Sequence, residues 1–295
     1  MSFDRVVLIF NPNSTGDAPA RARELEEELG RVHPDLAVEL LPTAHAGHAQ
    51  TLAREAAGTG RPLVVSVSGD GGYNEVVNGI MDAGNTGEQG AVAAVVAAGN
   101  ANDHHRVTAP RPLPEAIGVG EVRRMDLIHL AVSGPGGEIS RYAHSYIGIG
   151  LTPVVAVDLE KGTKGSLREI VTVMRSFSKF RPLRIQLDDG RRVPIDSLVF
   201  SNIPQMAKVL KLSTNGDPED GEFEVTLTPH EPRWRVATVF LHAATTGLGP
   251  QPAVTEYRFT ALKAAPLQID GEVLEIAGGD RVTVTIAPGA LGVLR

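Results

Sequence analysis

Apolar residues in the first part of the chain fall in short unbroken runs, and stretches of helical spacing separate them. Val6 to Phe10 is such a run and ends at the polar stretch Asn11 to Gly16; after Asp17, the residues Leu25, Leu29 and Val32 recur on one helical face. Ala37 to Leu41 reads as a second strand, followed by a loop at Pro42 and a helix through Leu52 and Ala56. Pro62 to Ser68 reads as a third, ending in a turn from Gly69 to Gly72 ahead of a helix through Val76, Val77 and Ile80. Ala91 to Ala98 is alanine-rich, yet its valines and the GNAND turn after it favour a buried strand. Strands alternating with helices imply βαβ units and a mainly parallel sheet, with ligands beyond the carboxyl ends of the strands.

From Asp126 the period shortens. Leu127 to Val132, Tyr142 to Ile149, Leu183 to Leu187, Leu198 to Ser201 and Phe223 to Leu227 read as strands, interrupted by one helix from Ser166 to Phe177 that carries Leu167, Ile170, Val171 and Met174 on one side. Turns rich in Gly, Pro, Asp and Asn between them predict a β-sandwich or distorted barrel. The expected organisation is therefore an α/β domain with a mainly parallel sheet over 1–125 and a β-rich, sandwich-like domain over 126–279. Residues 280–295 are a candidate to return to the first domain and complete it.

Composition narrows the classes. The 295 residues exceed the ~100–200 of one domain, and 42% hydrophobic with 21% charged residues is ordinary for a globular chain. No apolar run approaches the ~18 residues that would predict a transmembrane segment. With no cysteine, disulfides, thiolate metal sites and a cysteine nucleophile are excluded; with no signal-like start, a cytoplasmic location is expected. A net charge of −7 argues against nucleic acid as a partner. Lys161 to Arg184 holds seven lysines and arginines against Glu169 alone, which reads either as a solvated helix face or as a contact with the inner face of a membrane. His45 and His48 lack a third metal ligand, and Trp234, between basic residues, reads as an interfacial anchor or, more commonly for such a residue, as a side chain packed over a domain edge, and is given no role.

The chemistry concentrates in three polar loops at one rim of the predicted parallel sheet. SGDGGYNEVVNG, Ser68 to Gly79, places glycines and Asp70 between a strand and a helix. Glycine permits positive φ and close backbone approach, and converging amides with a helix dipole suit phosphate. No lysine follows the glycines, so this is not a Walker A loop, and the third glycine of a dinucleotide fingerprint is missing. AAGNANDHHR, Ala97 to Arg106, brings Asp103 to the same rim, where Asp70 and Asp103 together suit Mg2+ held through water beside phosphate oxygens. NPNSTG at Asn11 to Gly16 supplies the third loop.

Together these stretches resemble the diacylglycerol kinase catalytic-domain family, which includes bacterial lipid kinases and sphingosine kinases. Asn11 to Gly16 resembles its NPxSG stretch, Ser68 to Gly79 its GGDGTxNEVxNG signature, Ala97 to Arg106 its PxGTxNDFAR segment, and Arg123 to Leu127 its strand into the second domain. Ile269 to Glu272 resembles its DGE motif. The resemblance implies an ATP-dependent kinase that phosphorylates a lipid hydroxyl, diacylglycerol first among acceptors, with the lipid met at a membrane surface and a homodimer left open. ATP would contact Asn11, Ser14, Thr43, Gly69, Asp70, Gly71, Gly72, Tyr73, Asn74, Glu75 and Asn100. Glu272 would be the general base, with Asp270 beside it in the motif; the sphingosine-kinase branch would instead give that role to Asp70. Asn215 to Val225 resembles a segment that holds a structural Mg2+, so Asp220, by its side chain, and Asp217 and Glu222, by their carbonyls, are the implied metal ligands.

This chain departs from the family at defined points. Gly72 and Asn100 stand where threonines are usual, Ser68 replaces a glycine, Ala98 a proline, and His104 and His105 follow Asn102-Asp103. Ile203 to Lys208 replaces a glycine-rich stretch after Asn202. Two rivals follow: an enzyme similar to NAD kinases, which also use a GDG loop, and a non-catalytic lipid- or nucleotide-binding protein on the same fold.

Overall fold

The computed structural model describes residues 3–14, 16–108, 111–150, 182–208 and 210–295. The expected helix from Ser166 to Phe177 and all but the end of the basic stretch lie outside the described residues. The chain forms two compact units, one of residues 1–127 with 288–295 and one of residues 128–287.

In the first unit, β1 (Arg5–Phe10), β2 (Ala37–Pro42), β3 (Leu63–Ser68) and β4 (Val92–Ala97) alternate with α1 (Ala18–Val32), α2 (His48–Ala57) and α3 (Asp70–Ala83). The strands pair in parallel in the order β4-β3-β1-β2. Because helices cover both faces, the central strands are buried throughout and read in sequence as continuous apolar runs. On one face Leu8, Val65, Val92 and Ala94 meet Ala22 and Leu29 of α1 and Leu113 and Ala116 of α5 (Leu113–Val119). Val32, expected on that face, is half-exposed at the end of α1. On the other face α2 and α3 pack so closely that a Cβ at Gly79 would lie 2.3 Å from the Gln50 carbonyl oxygen.

In the second unit, β5 (Val122–Gly134, which begins in the first), β6 (Gly137–Ala143), β7 (Tyr146–Gly150), β8 (Leu183–Leu187) and β9 (Arg192–Ser201) are antiparallel. The small pair β10 (Gln205–Met206) and β11 (Leu210–Lys211) precedes β12 (Phe223–Pro229). After α6 (Arg233–Ala244) come β13 (Ala253–Val254), β14 (Glu256–Ala261), β15 (Ala265–Ile269), β16 (Glu272–Ile276) and β17 (Arg281–Leu294). β9 pairs with β8 over Arg192 to Ile195 and with β7 and β12 over Ser197 to Ser201, so one strand changes partners along its length. The inward residues, among them Leu130, Ile147, Leu198, Phe200, Phe223, Phe259, Leu267 and Val284, form one core of the sandwich-like kind predicted.

Helix α6 was not legible, and Trp234 does not cover an edge: it is 65% exposed. The apolar run Tyr142 to Ile149 is two strands, broken at His144 and Ser145. The end of the chain returns as expected, with Gly292 and Val293 pairing in parallel with Val92 and Ala93 while the start of the same strand pairs with β14.

Deleting residues 288–295 should unpair the edge of β4 and remove three buried side chains, Leu291, Val293 and Leu294. It also removes the Gly289 amide that donates to Asp126 Oδ1. At roughly 1.5–3 kcal/mol per side chain, urea titration should show the first unit losing most of its stability.

Candidate functional site

The rim of the first unit is built by strand ends that nearly touch. β3 and β4 exit side by side, and a Cβ on Gly99 would lie 2.3 Å from the Gly69 Cα. Gly69, the first residue of the expected turn, is extended (φ −91°, ψ −171°), and α3 begins at once with Asp70. Gly71 and Gly72 thus form the first helical turn rather than a loop, and close approach is what requires glycine at Gly99 and favours it at Gly69, where a Cβ would lie 3.1 Å from the Gly99 Cα. The start of α3 carries no side-chain cap, which leaves the pole of a 14-residue helix facing the rim.

Asp70 faces the next element. Its Oδ2 accepts from the Asp103 amide and its Oδ1 from the His104 amide, each at 3.1 Å, so it caps α4 (Asp103–Thr108). Asn102 makes the turn before it in the left-handed region (φ 51°), accepting from the Gly99 amide and donating to the Gly99 carbonyl. Asp103 is buried, with Arg106 3.6 Å away. Asp70 and Asp103 are therefore adjacent, yet both are engaged by protein, and no cluster of three or more His, Asp or Glu among the described residues could hold a metal. Mg2+ would fit here only as an ion carried by phosphate oxygens and water.

The other expected nucleotide contacts divide. Asn11 and Ser14 sit in a loop closed by Asn13 N–H donating to Asn11 Oδ1, and Thr43 follows β2, its amide donating to the Phe10 carbonyl. Asn100 is exposed beside Gly99. Tyr73 and Asn74, by contrast, are buried, the Tyr73 ring against His104 at 5.0 Å. Both carboxylate oxygens of Glu75 accept amides at the start of α2, from Gly47 and Ala49 at 3.1 Å. His48 Nδ1 accepts the Ala44 amide and stacks on His45, which accounts for that histidine pair without a metal.

Ser68 and Gly72 occupy one space between them. A Cβ at Gly72 would lie 2.6 Å from Ser68 Oγ and 2.7 Å from Ser68 Cβ. The hydroxyl missing at Gly72 is replaced by one arriving from the strand, where Ser68 Oγ donates to the Gly69 carbonyl and lies 2.7 Å from Ser66 Oγ. A cavity of about 690 Å3 opens on the α1 side of this rim, reaching Gly16, Gly99 and Asn102 and lined deeper by Arg21, His105 and Leu294. Burial pushes the His105 imidazole below its ordinary value, with Arg21 adding to the shift and Asp70 opposing it. The cavity misses Gly71, Gly72 and Ser14, so it does not coincide with the α3 pole.

In the second unit, Asp270 and Gly271 form the two-residue link between β15 and β16, both at positive φ (45° and 99°). Asp270 is fully buried and accepts the amides of His144 (2.7 Å), Ser145 (3.1 Å) and Tyr146 (2.8 Å). Those bonds explain the break between β6 and β7, and they make Asp270 a group that holds the turn rather than one that meets substrate. Glu272, next along, is exposed.

Asp217, Asp220 and Glu222 share an exposed turn in which Asp217 Oδ1 accepts the Glu219 amide and Asp220 Oδ1 the Glu222 amide. Beyond them lies a residue that sequence reasoning missed. Glu224 is 1% exposed, and burial pushes its carboxyl up to about 7, with Asp220, Glu222 and Asp217 adding to the rise and its own amide opposing it. Register places Glu224 opposite Ser201, and Thr226, Val199, Gly148 and Gln268 in the next row of the same face. Ser201 Oγ, Thr226 Oγ1 and Gln268 Oε1 are buried there without a hydrogen-bond partner, an arrangement that a bound polar group would relieve.

Two outcomes follow. Gly72→Thr should cost ~1–3 kcal/mol by overpacking, and Ser68→Gly in the same chain should recover most of it, read as coupling in a double-mutant cycle by thermal denaturation. The Glu224 carboxyl rises from 4.5 to about 7 on folding, so the folded state keeps a proton that the unfolded chain has lost. Stability should therefore fall as pH rises from about 4.5 to 7 and stay low above that. Glu224→Gln should flatten this fall, by on the order of 2–3 kcal/mol at pH 8, in melts recorded across pH.

Comparison with known proteins agrees with this geometry. The model of the diacylglycerol kinase catalytic domain matches residues 5–130. A probable lipid kinase of the YegS-like type from Chromohalobacter salexigens is 26% identical over 309 aligned positions, covering 96% of this chain and 91% of that protein. A putative diacylglycerol kinase from Bacillus anthracis shares the fold at a TM-score of 0.72 and 19% identity, over 100% of this chain and 98% of that one. Yeast NADH kinase in complex with NADH is more distant in fold, at a TM-score of 0.53 and 13% identity over 98% and 82% of the two chains. The signature at Ser68 to Gly79 lies inside residues 5–130, the part of the chain that is similar to the diacylglycerol kinase catalytic domain.

Proposed function

We propose that the protein is an ATP-dependent lipid kinase that transfers the γ-phosphoryl group to a lipid hydroxyl, with diacylglycerol as acceptor. The observation that carries this reading is the uncapped pole of α3 at the rim, flanked by the loops after β1 and β4. An uncapped helix start beside glycine backbone suits an anionic phosphate. Asn11, Ser14, Thr43, Asn100 and the backbone of Gly69 to Gly72 would bind the nucleotide. Tyr73, Asn74 and Glu75 support that surface from within, since their side chains are buried or spent on α2.

Mg2+, when bound, would neutralise charge on the phosphate oxygens, and Asp70 and Asp103 would orient its water shell. Asp220, by its side chain, and Asp217 and Glu222, by their carbonyls, are proposed as a second, structural cation site on an exposed turn whose carboxylates also help raise Glu224. In the second unit, Glu272 is exposed on a turn that Asp270 makes rigid, and it would take the acceptor hydroxyl proton. The unpartnered polar row beside Glu224 supports a role for this unit in holding the polar part of the acceptor.

The test is transfer of label from γ-labelled ATP to a lipid extract, with diacylglycerol and NAD supplied in separate arms. Labelled phosphatidic acid is expected. Glu272→Gln should lower turnover by about 10²-fold or more while nucleotide affinity, measured by calorimetry, stays within about twofold of the parent. Label on NAD alone, or on nothing, would refute the lipid-kinase reading, and full activity in Glu272→Gln would return the base role to Asp70.

A further inference from the structure

Helix α6 is apolar on two opposite sides. Val236 and Ala243, seven apart, are buried, and Ala243 joins Met206, Leu210 and Leu212 in a small core with the β10–β11 pair. Trp234 and Leu241, also seven apart, share the other face and are 65% and 58% exposed, with exposed Thr238 between them. Residues four and seven apart lie on one side of a helix, so this is a stripe along ~10 Å rather than two scattered side chains. A solvent-facing tryptophan and leucine on one stripe need an explanation that isolated exposed residues do not.

The charge around the stripe is opposite to that of the chain. Residues 203–214 and 231–248 together hold four lysines and arginines against Glu231 alone, in a protein of net charge −7. Arg235 lies over the Trp234 ring at 5.2 Å to its centroid and pairs with Glu231 at 3.2 Å. Lys211 is exposed, and its carbonyl accepts the Leu248 amide just beyond the helix. Tryptophan and leucine along one face with cations beside them match the boundary between anionic headgroups and acyl chains, where indole is favoured and basic side chains remain hydrated.

We propose that α6 lies flat on an anionic lipid bilayer, with Trp234 and Leu241 inserted among the acyl chains and Arg235 at the headgroups. This rests on the reading of the protein as a lipid kinase, which needs an approach to a substrate held in a membrane.

Trp234 is the single tryptophan of the chain, so its emission reports on this helix alone. The experiment adds the full-length protein to vesicles of phosphatidylglycerol and phosphatidylcholine in equal parts, and to vesicles of phosphatidylcholine alone. Expected are a blue shift and loss of acrylamide quenching with the anionic vesicles, reversed by 0.5 M salt to about the level seen with the neutral ones. Leu241→Ser should weaken sedimentation with anionic vesicles ~10-fold, with its melting temperature unchanged. Trp234→Phe should keep most of the binding and Trp234→Ala lose it.

If the protein sediments with vesicles while its tryptophan emission stays put, or does not sediment at all, the proposal is overturned. A blue shift that grows with protein concentration in the absence of lipid would assign the stripe to a second copy of the chain and overturn it too. Activity toward a short-chain acceptor dispersed in detergent separates the two readings. Trp234→Ala should retain that activity, whereas failure of the lipid-kinase reading would abolish it in the parent protein and leave vesicle binding intact.

Discussion

The backbone contact between Gly69 and Gly99 governs the rim of the first unit. Neighbouring parallel strands leave the sheet at the same height, so whatever follows β3 and β4 competes for one small volume. Only chain without side chains lets both pass. Once they do, α3 can begin without a loop, its first residue can reach the amides that open α4, and Asn102 can close the second turn against Gly99. The helix pole therefore follows from the contact between the strand ends. An alanine at either position would push apart the elements that meet there, not merely bend one of them.

The second unit solves a similar problem with charge instead of space. A fully buried carboxylate would be costly alone, but Asp270 collects three consecutive amides and so fixes the hairpin link to the junction of β6 and β7. Glu224 shows the opposite outcome. With other carboxylates nearby and few donors, burial holds its proton on near neutral pH. Two buried acids in one unit thus differ in surroundings: Asp270 is met by three amides, whereas Glu224 is raised first by burial and then by like charge.

Much of the first unit was legible because strands covered on both faces are apolar without interruption, and because glycine, aspartate and asparagine cluster where those strands end. The purpose of the glycines was not legible. Close approach depends on which strand lies alongside, and Gly69 differs from a turn glycine only through Gly99, thirty positions later. Glu75 read as part of a ligand loop, but it holds α2 through amides that no local pattern announces. Asp270 looked like half of an acidic motif and proved to be its support. Helix α6 escaped because apolar residues on both sides blur the period that marks a helix, and Glu224 because its environment is assembled from separate strands.

The shared space of Ser68 and Gly72 limits how such a loop can change over time. A serine at the strand end and a threonine in the first helical turn crowd each other, so a chain carrying both is destabilised by the overlap, and glycine at either position relieves it. With glycine at both positions neither hydroxyl is present, and the start of α3 offers backbone amides alone. The two positions therefore constrain each other, and the amides at the start of α3 are the part of this rim that does not depend on which of them carries a hydroxyl.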